Sequence, residues 1–232
     1  MPEYGLKIGN LPRITGDRRI MRLLTMGDTQ AVSGSRHKFR LHCQHADFCV
    51  YFRPLHQGVA TASQIIHAVG GGVYDAYFIG SPCRVYVYER KHTRAASGKY
   101  GIQLFNKSGS VAFDNLDEPM MPLPNLYIPP LGQGGKVLLF DAATTPHRAV
   151  NMHGNRLAMS LDFWRDEYRI YRDAILLENA ALFYVFGYGT NTYAARNGDG
   201  IPLNWTSANR FGGLSNQKPT SIGVCNTFEH GF

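Results

Sequence analysis

Residues 100–114 read Tyr-Gly-Ile-Gln-Leu-Phe-Asn-Lys-Ser-Gly-Ser-Val-Ala-Phe-Asp. Tyr100, Ile102 and Leu104 share one face of a strand, because successive side chains of a strand point to opposite sides. Asn and Gly then fit a tight turn, since Asn bonds its own backbone and Gly tolerates a positive φ. The stretch therefore predicts a β-hairpin. Its defining residues are Tyr100, Gly101, Ile102, Leu104, Phe105, Asn106, Gly109, Phe113 and Asp114.

The composition extends this β prediction to the whole chain. Among its 232 residues, 18% are charged and 12% are aromatic, and there are 25 Gly and 12 Pro. Such a profile is typical of short strands joined by turns and argues against long helices or disorder. We predict a mainly β fold, an antiparallel β-sandwich or barrel-like sheets, with long Pro/Gly-rich loops and little helix.

Alternation of apolar residues predicts several further strands. Residues 84–90 are the best of them, with valines on one side and tyrosines on the other. Residues 39–42 and 48–53 are predicted to form a hairpin, residues 61–68 a short helix or a parallel excursion, and residues 27–36 a loop. Residues 168–177 fit either a strand or a helix. The other predicted strands are residues 73–79, 136–141, 156–163 and 181–188.

Residues 119–135 are rich in proline and glycine, which make a segment extended and poor in donors for a sheet ladder. We predict a linker or arm here. It would separate an N-terminal β domain, residues 1–118, from a C-terminal β domain with a loop-rich terminus, residues 136–232. A single composite domain and an arm that packs on a neighbouring subunit are the alternatives.

The formal net charge of +7 favours an anionic partner. The basic residues are scattered, however, so nucleic-acid binding is not expected. The longest apolar candidate, residues 174–187, is interrupted by Glu178 and Asn179, and we expect no membrane insertion. The first residues do not resemble a secretory signal, so synthesis in a cytoplasm with free thiols is expected.

The residue types of a metal site occur together between residues 37 and 56, and the candidate ligands are Cys43, His45 and Cys49. The segment lacks a Cys-x-x-Cys pair, so ordinary structural roles are favoured and we predict no metal and no cofactor. The chain also lacks a Gly-x-Ser-x-Gly nucleophile motif. Its acidic clusters at residues 114–118 and 162–167 are typical of turns and surfaces. We therefore predict that the protein is not an enzyme.

A set of aromatic residues in the C-terminal part could stack on a sugar or fill a contact between subunits. We favour the subunit contact and keep glycan binding as the alternative. The set comprises Trp164, Tyr188, Tyr193, Trp205 and Phe211.

Residues 100–106, with Ser108-Gly109 and Phe113-Asp114, resemble a family of small tail-tip-associated virion proteins of tailed bacteriophages. A partial second copy of the phrase lies at residues 4–10, and the full motif lies in mid-chain rather than at the start. The resemblance implies a non-enzymatic structural component of the distal tail, the tail tip, baseplate or host-attachment apparatus. Such a protein would be made in the host cytoplasm and located in the virion. Its expected partners are other tail proteins and further copies of itself, and the alternative is a receptor-binding module that recognises a host surface glycan.

Overall fold

The structure is a computed structural model, and every element in the part that it describes is a β-strand. All the strand pairs are antiparallel, so the predicted mainly β fold is confirmed. The described residues are 21–44, 46–90, 103–105, 111–114, 120–129, 131, 135–145, 147–152, 157–162, 167–194 and 220–227.

Two large sheets and one small sheet contain the sixteen strands of the described residues. In spatial order, the six-stranded sheet contains β1 (Met21–Asp28), β7 (Cys83–Arg90), β4 (Phe48–Pro54), β12 (Arg148–Asn151), β16 (Thr220–Asn226) and β10 (Met121–Ile128). The eight-stranded sheet contains β11 (Lys136–Asp141), β15 (Ala181–Ala194), β14 (Glu167–Glu178), β5 (Thr61–Gly70), β6 (Val73–Gly80), β3 (Arg36–His42) and β2 (Gln30–Ser33), with β13 (Leu157–Asp162) also paired to β14. The small sheet contains β8 (Gln103–Phe105) and β9 (Val111–Asp114).

The two large sheets pack face to face around one apolar core that takes residues from both. Phe52 of β4 and Phe78 of β6 are both buried, and their ring centroids lie 5.3 Å apart. Phe48 and Tyr74 form a second pair between the same strands at 4.9 Å. Aromatic pairs at these separations stabilise beyond their buried area. Strands β4 and β6 therefore hold the two layers of the sandwich together.

Strand β7 has the alternation that the sequence predicts, and both of its faces are buried. Val85 and Val87 belong to the core between the sheets. Tyr86 and Tyr88 belong to a second cluster, together with Tyr51, on the opposite face of the six-stranded sheet. This strand, which lies between β1 and β4, therefore contributes to two separate apolar clusters.

The predicted hairpin of residues 39–42 and 48–53 is wrong, because the two strands lie in different sheets. β3 pairs with β6 in the eight-stranded sheet, and β4 pairs with β7 in the six-stranded sheet. Between them the buried Cys43 donates its backbone N–H to the Gly72 carbonyl at 2.8 Å. The chain thus passes from one sheet to the other between β3 and β4, and Phe39, Leu41 and Phe52 of these strands all belong to the core between the sheets.

The helix considered for residues 61–68 is also wrong, since β5 forms a ladder with β6. Gly71 and Gly72 make the two-residue turn between these strands, with φ of +58° and +76°. A positive φ at both central positions matches the right-handed twist of a hairpin. The predicted loop at residues 27–36 largely pairs as the end of β1, β2 and the start of β3. The undecided residues 168–177 are strand, within β14.

Within the proline-rich residues 119–135, for which the sequence predicts a linker or arm, residues 121–128 form the strand β10. β10 pairs with β16 from Met121↔Asn226 to Ile128↔Thr220. Proline is tolerated because β10 lies at the edge of its sheet, where one side of the strand needs no ladder donors. Both large sheets contain strands from before and after residues 119–135. The predicted boundary therefore does not separate one sheet from the other.

Asp75 is a buried carboxylate that pairs with two basic side chains. Arg40 donates from Nε and Nη2 to its two carboxylate oxygens at 2.8 and 2.9 Å, and Lys38 Nζ lies 3.6 Å away. The hydrogen bonds from Arg40 are the main reason that the pKa of Asp75 lies below its ordinary value. A lowered pKa in the folded state means that the ionised carboxylate stabilises the fold.

We expect Asp75→Asn to destabilise the protein at neutral pH, and we expect the loss to vanish in acid. The stabilisation by Asp75 is complete above its unfolded pKa of about 3.9 and disappears as the pH falls through the lower folded pKa. Urea unfolding of both proteins from neutral pH to below pH 4 measures the difference. A difference that stays constant across this range would contradict the assigned ion pair.

Candidate functional site

The apolar core is open to solvent at one end of the sandwich. A cleft of about 300 Å³ enters there between the two sheets. Phe48, Val50 and Phe52 of β4 line one wall, and Ile65 and Ile66 of β5 line the other. Most of the lining side chains are apolar, and the polar ones are Ser63, Tyr77 and Asn151, so the cleft leaves part of the core without a cover.

Ile66 shows that the opening belongs to the core and not to the outer surface. It pairs with Ala76 of β6, and residues opposite each other in a ladder share one face of the sheet. Ala76 is buried in the main core, yet Ile66 is 43% exposed. A large apolar side chain on the core face is therefore half in water.

The edge of β5 beside this cleft is also open. β5 pairs with β14 at one position, Thr61↔Ile175. Continuing that antiparallel register would set residues 64–69 beside residues 167–172, but β13 pairs with that part of β14. Among the described strands, β5 from Gln64 onward therefore has β6 as its only ladder partner.

A bulge in β5 explains why the strand leaves β14. The register with β6 shifts between Ser63 and Ile66, so that Gln64 and Ile65 lie together opposite Tyr77. A bulge bends its strand and increases the local twist. The bend carries the second half of β5 away from β14 while it stays paired with β6, and Ile65, Ile66 and Val69 there are exposed. We call residues 64–70 the open segment of β5.

The open segment carries no formal charge, although the chain has a net charge of +7. The charges lie on the outer face of the same sheet. There Arg40 and Lys38 bind Asp75, and the Arg36 guanidinium lies 4.2 Å from the centre of the Tyr77 ring. The candidate site is thus an uncharged, apolar strand edge beside a basic outer face. Its chemistry suits backbone pairing and apolar burial.

The metal candidates Cys43 and Cys49 lie in different apolar clusters. Cys43 is buried in the main core, with its Sγ 3.6 Å from a Glu89 carboxylate oxygen. Cys49 packs against the second cluster, with its Sγ 3.8 Å from Met21 Sδ. Burial raises the pKa of the Cys49 thiol, which disfavours the thiolate that a metal would need. His45 lies outside the described residues.

The other cysteines are Cys83 and Cys225, and both are buried. Burial raises the pKa of both thiols, that of Cys225 to about 12. Among the described residues, no group of three or more His, Cys, Asp or Glu side chains is placed to hold a metal ion. The described part of the chain also contains no helix long and apolar enough to cross a membrane.

The aromatic candidates are only partly within the described structure. Tyr188 and Tyr193 lie on β15, where they pair with Arg172 and Tyr168 of β14. Trp164, Trp205 and Phe211 lie outside the described residues.

The hairpin of residues 100–114 has its two strands as β8 and β9, with Leu104 opposite Phe113 and Gln103 opposite Asp114. It forms a sheet of its own and joins neither large sheet. Phe105 is exposed at this pair. Residues 100–102 and 106–110 of the motif, which include Tyr100, Gly101, Ile102, Asn106 and Gly109, lie outside the described residues.

The open segment overlaps residues 61–68, for which the sequence predicts a short helix or a parallel excursion, so the open strand edge was not foreseen. Two signals were available: β-branched residues are concentrated in the segment, and a Gly-Gly pair follows it.

The comparisons with known proteins give no relative, since no family model, curated protein or solved structure matches the chain.

Proposed function

We propose that the protein is a non-enzymatic structural component that acts through subunit assembly. The observation that carries the proposal is the open core, where Ile66 on the core face is half exposed beside a strand edge that pairs with none of the described strands. Exposed apolar edges of this kind favour pairing with another chain, and native proteins usually block them with charges or cover them. This edge has no blocking charge.

The proposed setting is a bacteriophage virion, in the distal tail. Its support is the resemblance of residues 100–114 to tail-tip-associated virion proteins, together with a β fold that suits assembly by sheet contacts. The partners would be other tail proteins and further copies of the chain. The protein would be made in the host cytoplasm and end in the particle.

Gradient-purified particles of the encoding phage provide the test. We expect quantitative mass spectrometry to find the protein in the particle fraction at a fixed ratio to the major tail proteins. Recovery of the protein only in the soluble lysate would overturn the structural role. The capsid protein and a soluble phage enzyme serve as controls for the two fractions.

The alternative is a receptor-binding module that recognises a host surface glycan, and it depends on the aromatic set. If it holds, Trp164→Ala or Trp205→Ala should reduce adsorption of particles to host cells without changing the thermal unfolding of the protein. Stacking contacts of this kind are centred on a few aromatic anchors, so one substitution should have a large effect. Unchanged adsorption of both variants would exclude these two residues as anchors.

A further inference from the structure

The open segment of β5 has two unmet requirements in one place. Among the described strands, its backbone has a ladder partner on one side only, so the N–H and C=O groups of the other side can pair with another extended chain. Beside that edge the cleft exposes apolar walls, including Ile66. A further strand at this edge would form hydrogen bonds with β5 and place alternate side chains over the cleft.

The charge along the edge selects the kind of strand that fits. Residues 64–70 contain no Asp, Glu, Lys or Arg, while His67 is the one titratable side chain in the segment. An identical strand would therefore meet no charge repulsion at neutral pH, in spite of the net charge of +7. A strongly acidic partner would instead match the basic outer face of the eight-stranded sheet, which is the face that points away from the core.

Symmetry also favours a second copy of the chain. Every copy of the chain has the same open edge. A strand from a different protein would cover the edge of one copy only. Two β5 strands paired antiparallel about a two-fold axis would cover both edges at once. The seven residues of the segment would pair over about 20 Å, which is an ordinary strand length.

We infer that two copies of the chain associate by antiparallel pairing of the open segments of β5, which joins their eight-stranded sheets and covers both clefts. This inference rests on the proposed assembly function and names its first partner. A two-fold axis perpendicular to the sheet keeps each residue on its own face, so Ile66 of both copies lies on the core side. The two isoleucines then cover the open end of each core.

Sedimentation velocity of the purified full-length chain tests the inference over about 1 to 100 μM, where a modest interface dissociates. We expect wild-type protein to shift from monomer to dimer with rising concentration. Ile66→Lys should weaken the dimer at least about tenfold, because it places a charge from each copy at the same apolar contact. The matched control is Val59→Lys, since Val59 is 42% exposed but lies in the loop before β5.

Amide hydrogen exchange of the wild-type protein gives a second readout that needs no variant. We expect protection of residues 64–70 to rise with protein concentration, while protection of β6, which already pairs on both sides, stays unchanged. This measurement decides the matter if Ile66→Lys does not fold. A wild-type chain that stays monomeric at 100 μM, or a dimer unaffected by Ile66→Lys with no added protection in β5, would overturn the inference. Either result would leave the particle test of the proposed function standing.

Discussion

Replacement of Gly80 with alanine is expected to lower the free energy of unfolding by more than about 3 kcal/mol. Gly80 has a φ of +106°, which residues other than glycine rarely adopt. A Cβ at this position would also lie 1.8 Å from the Ala60 carbonyl oxygen, well inside van der Waals contact. The substitution must therefore strain the backbone and push β5 away from β6, since Gly80 pairs with Thr61.

Gly58→Ala is the control that separates these two effects. Gly58 also has a positive φ, +77°, but no atom lies within 4 Å of a Cβ built there. Gly58→Ala should therefore lower the free energy of unfolding only through the strain of a positive φ, by about 1 kcal/mol. Urea unfolding of the wild type and both variants gives the comparison. Equal losses in the two variants would mean that β5 and β6 do not approach each other as closely as the structure places them.

Phe78→Ala should have the second large effect, a loss of about 3–5 kcal/mol in the free energy of unfolding. Phe78 is 1% exposed and packs on Phe52 across the two sheets. Its truncation removes the apolar burial of a whole ring and leaves a cavity between the layers. Because the total stability of a domain is about 5–15 kcal/mol, one such change removes a large part of it.

Phe105→Ala provides the matched control, because Phe105 is 51% exposed in the separate two-stranded sheet. A surface substitution of this kind usually changes stability by less than about 0.5 kcal/mol. Calorimetric or chemical unfolding measures the free energy of unfolding of the wild type and of both variants. A loss below about 1 kcal/mol for Phe78→Ala would contradict the assignment of the Phe52 and Phe78 contact to the centre of the sandwich.

The features that the sequence could predict are those set by local alternation. The valines and tyrosines of residues 84–90 show both faces of β7, because the period of two does not depend on which strands lie beside it. The same pattern predicted the two strands of the hairpin at residues 103–105 and 111–114. Composition was enough for the fold class, since few charges and many turn residues suit short strands.

The features that the sequence could not predict depend on partners that are distant in the chain. Residues 39–42 and 48–53 look like a hairpin because only a short loop joins them, yet each pairs with a strand far along the sequence. The proline-rich residues 121–128 become a strand because β16, about a hundred residues later, offers its edge. Pairing over such separations is a property of the whole core, and no local pattern encodes it.

The candidate site escaped prediction for the same reason. Ile65, Ile66 and Val69 are apolar residues that local patterns would place in a core. Their exposure follows from the bulge opposite Tyr77 and from the presence of β13 on the edge of β14. By contrast, the hairpin that dominates the sequence forms a small sheet of its own. The proposed working surface thus lies in β5, a segment for which a helix was considered.

We propose that the open core at β5 serves assembly within a particle. Incorporation of tagged protein into particles during infection is the most direct test of this role. Wild-type chain, Ile66→Lys and Val59→Lys would each be supplied in host cells infected by a phage that lacks the gene, and purified particles would be analysed by quantitative mass spectrometry. We predict that wild type and Val59→Lys enter the particles and that folded Ile66→Lys is depleted at least about tenfold. Particles that contain Ile66→Lys at the wild-type level, or that lack all three proteins, would contradict the account.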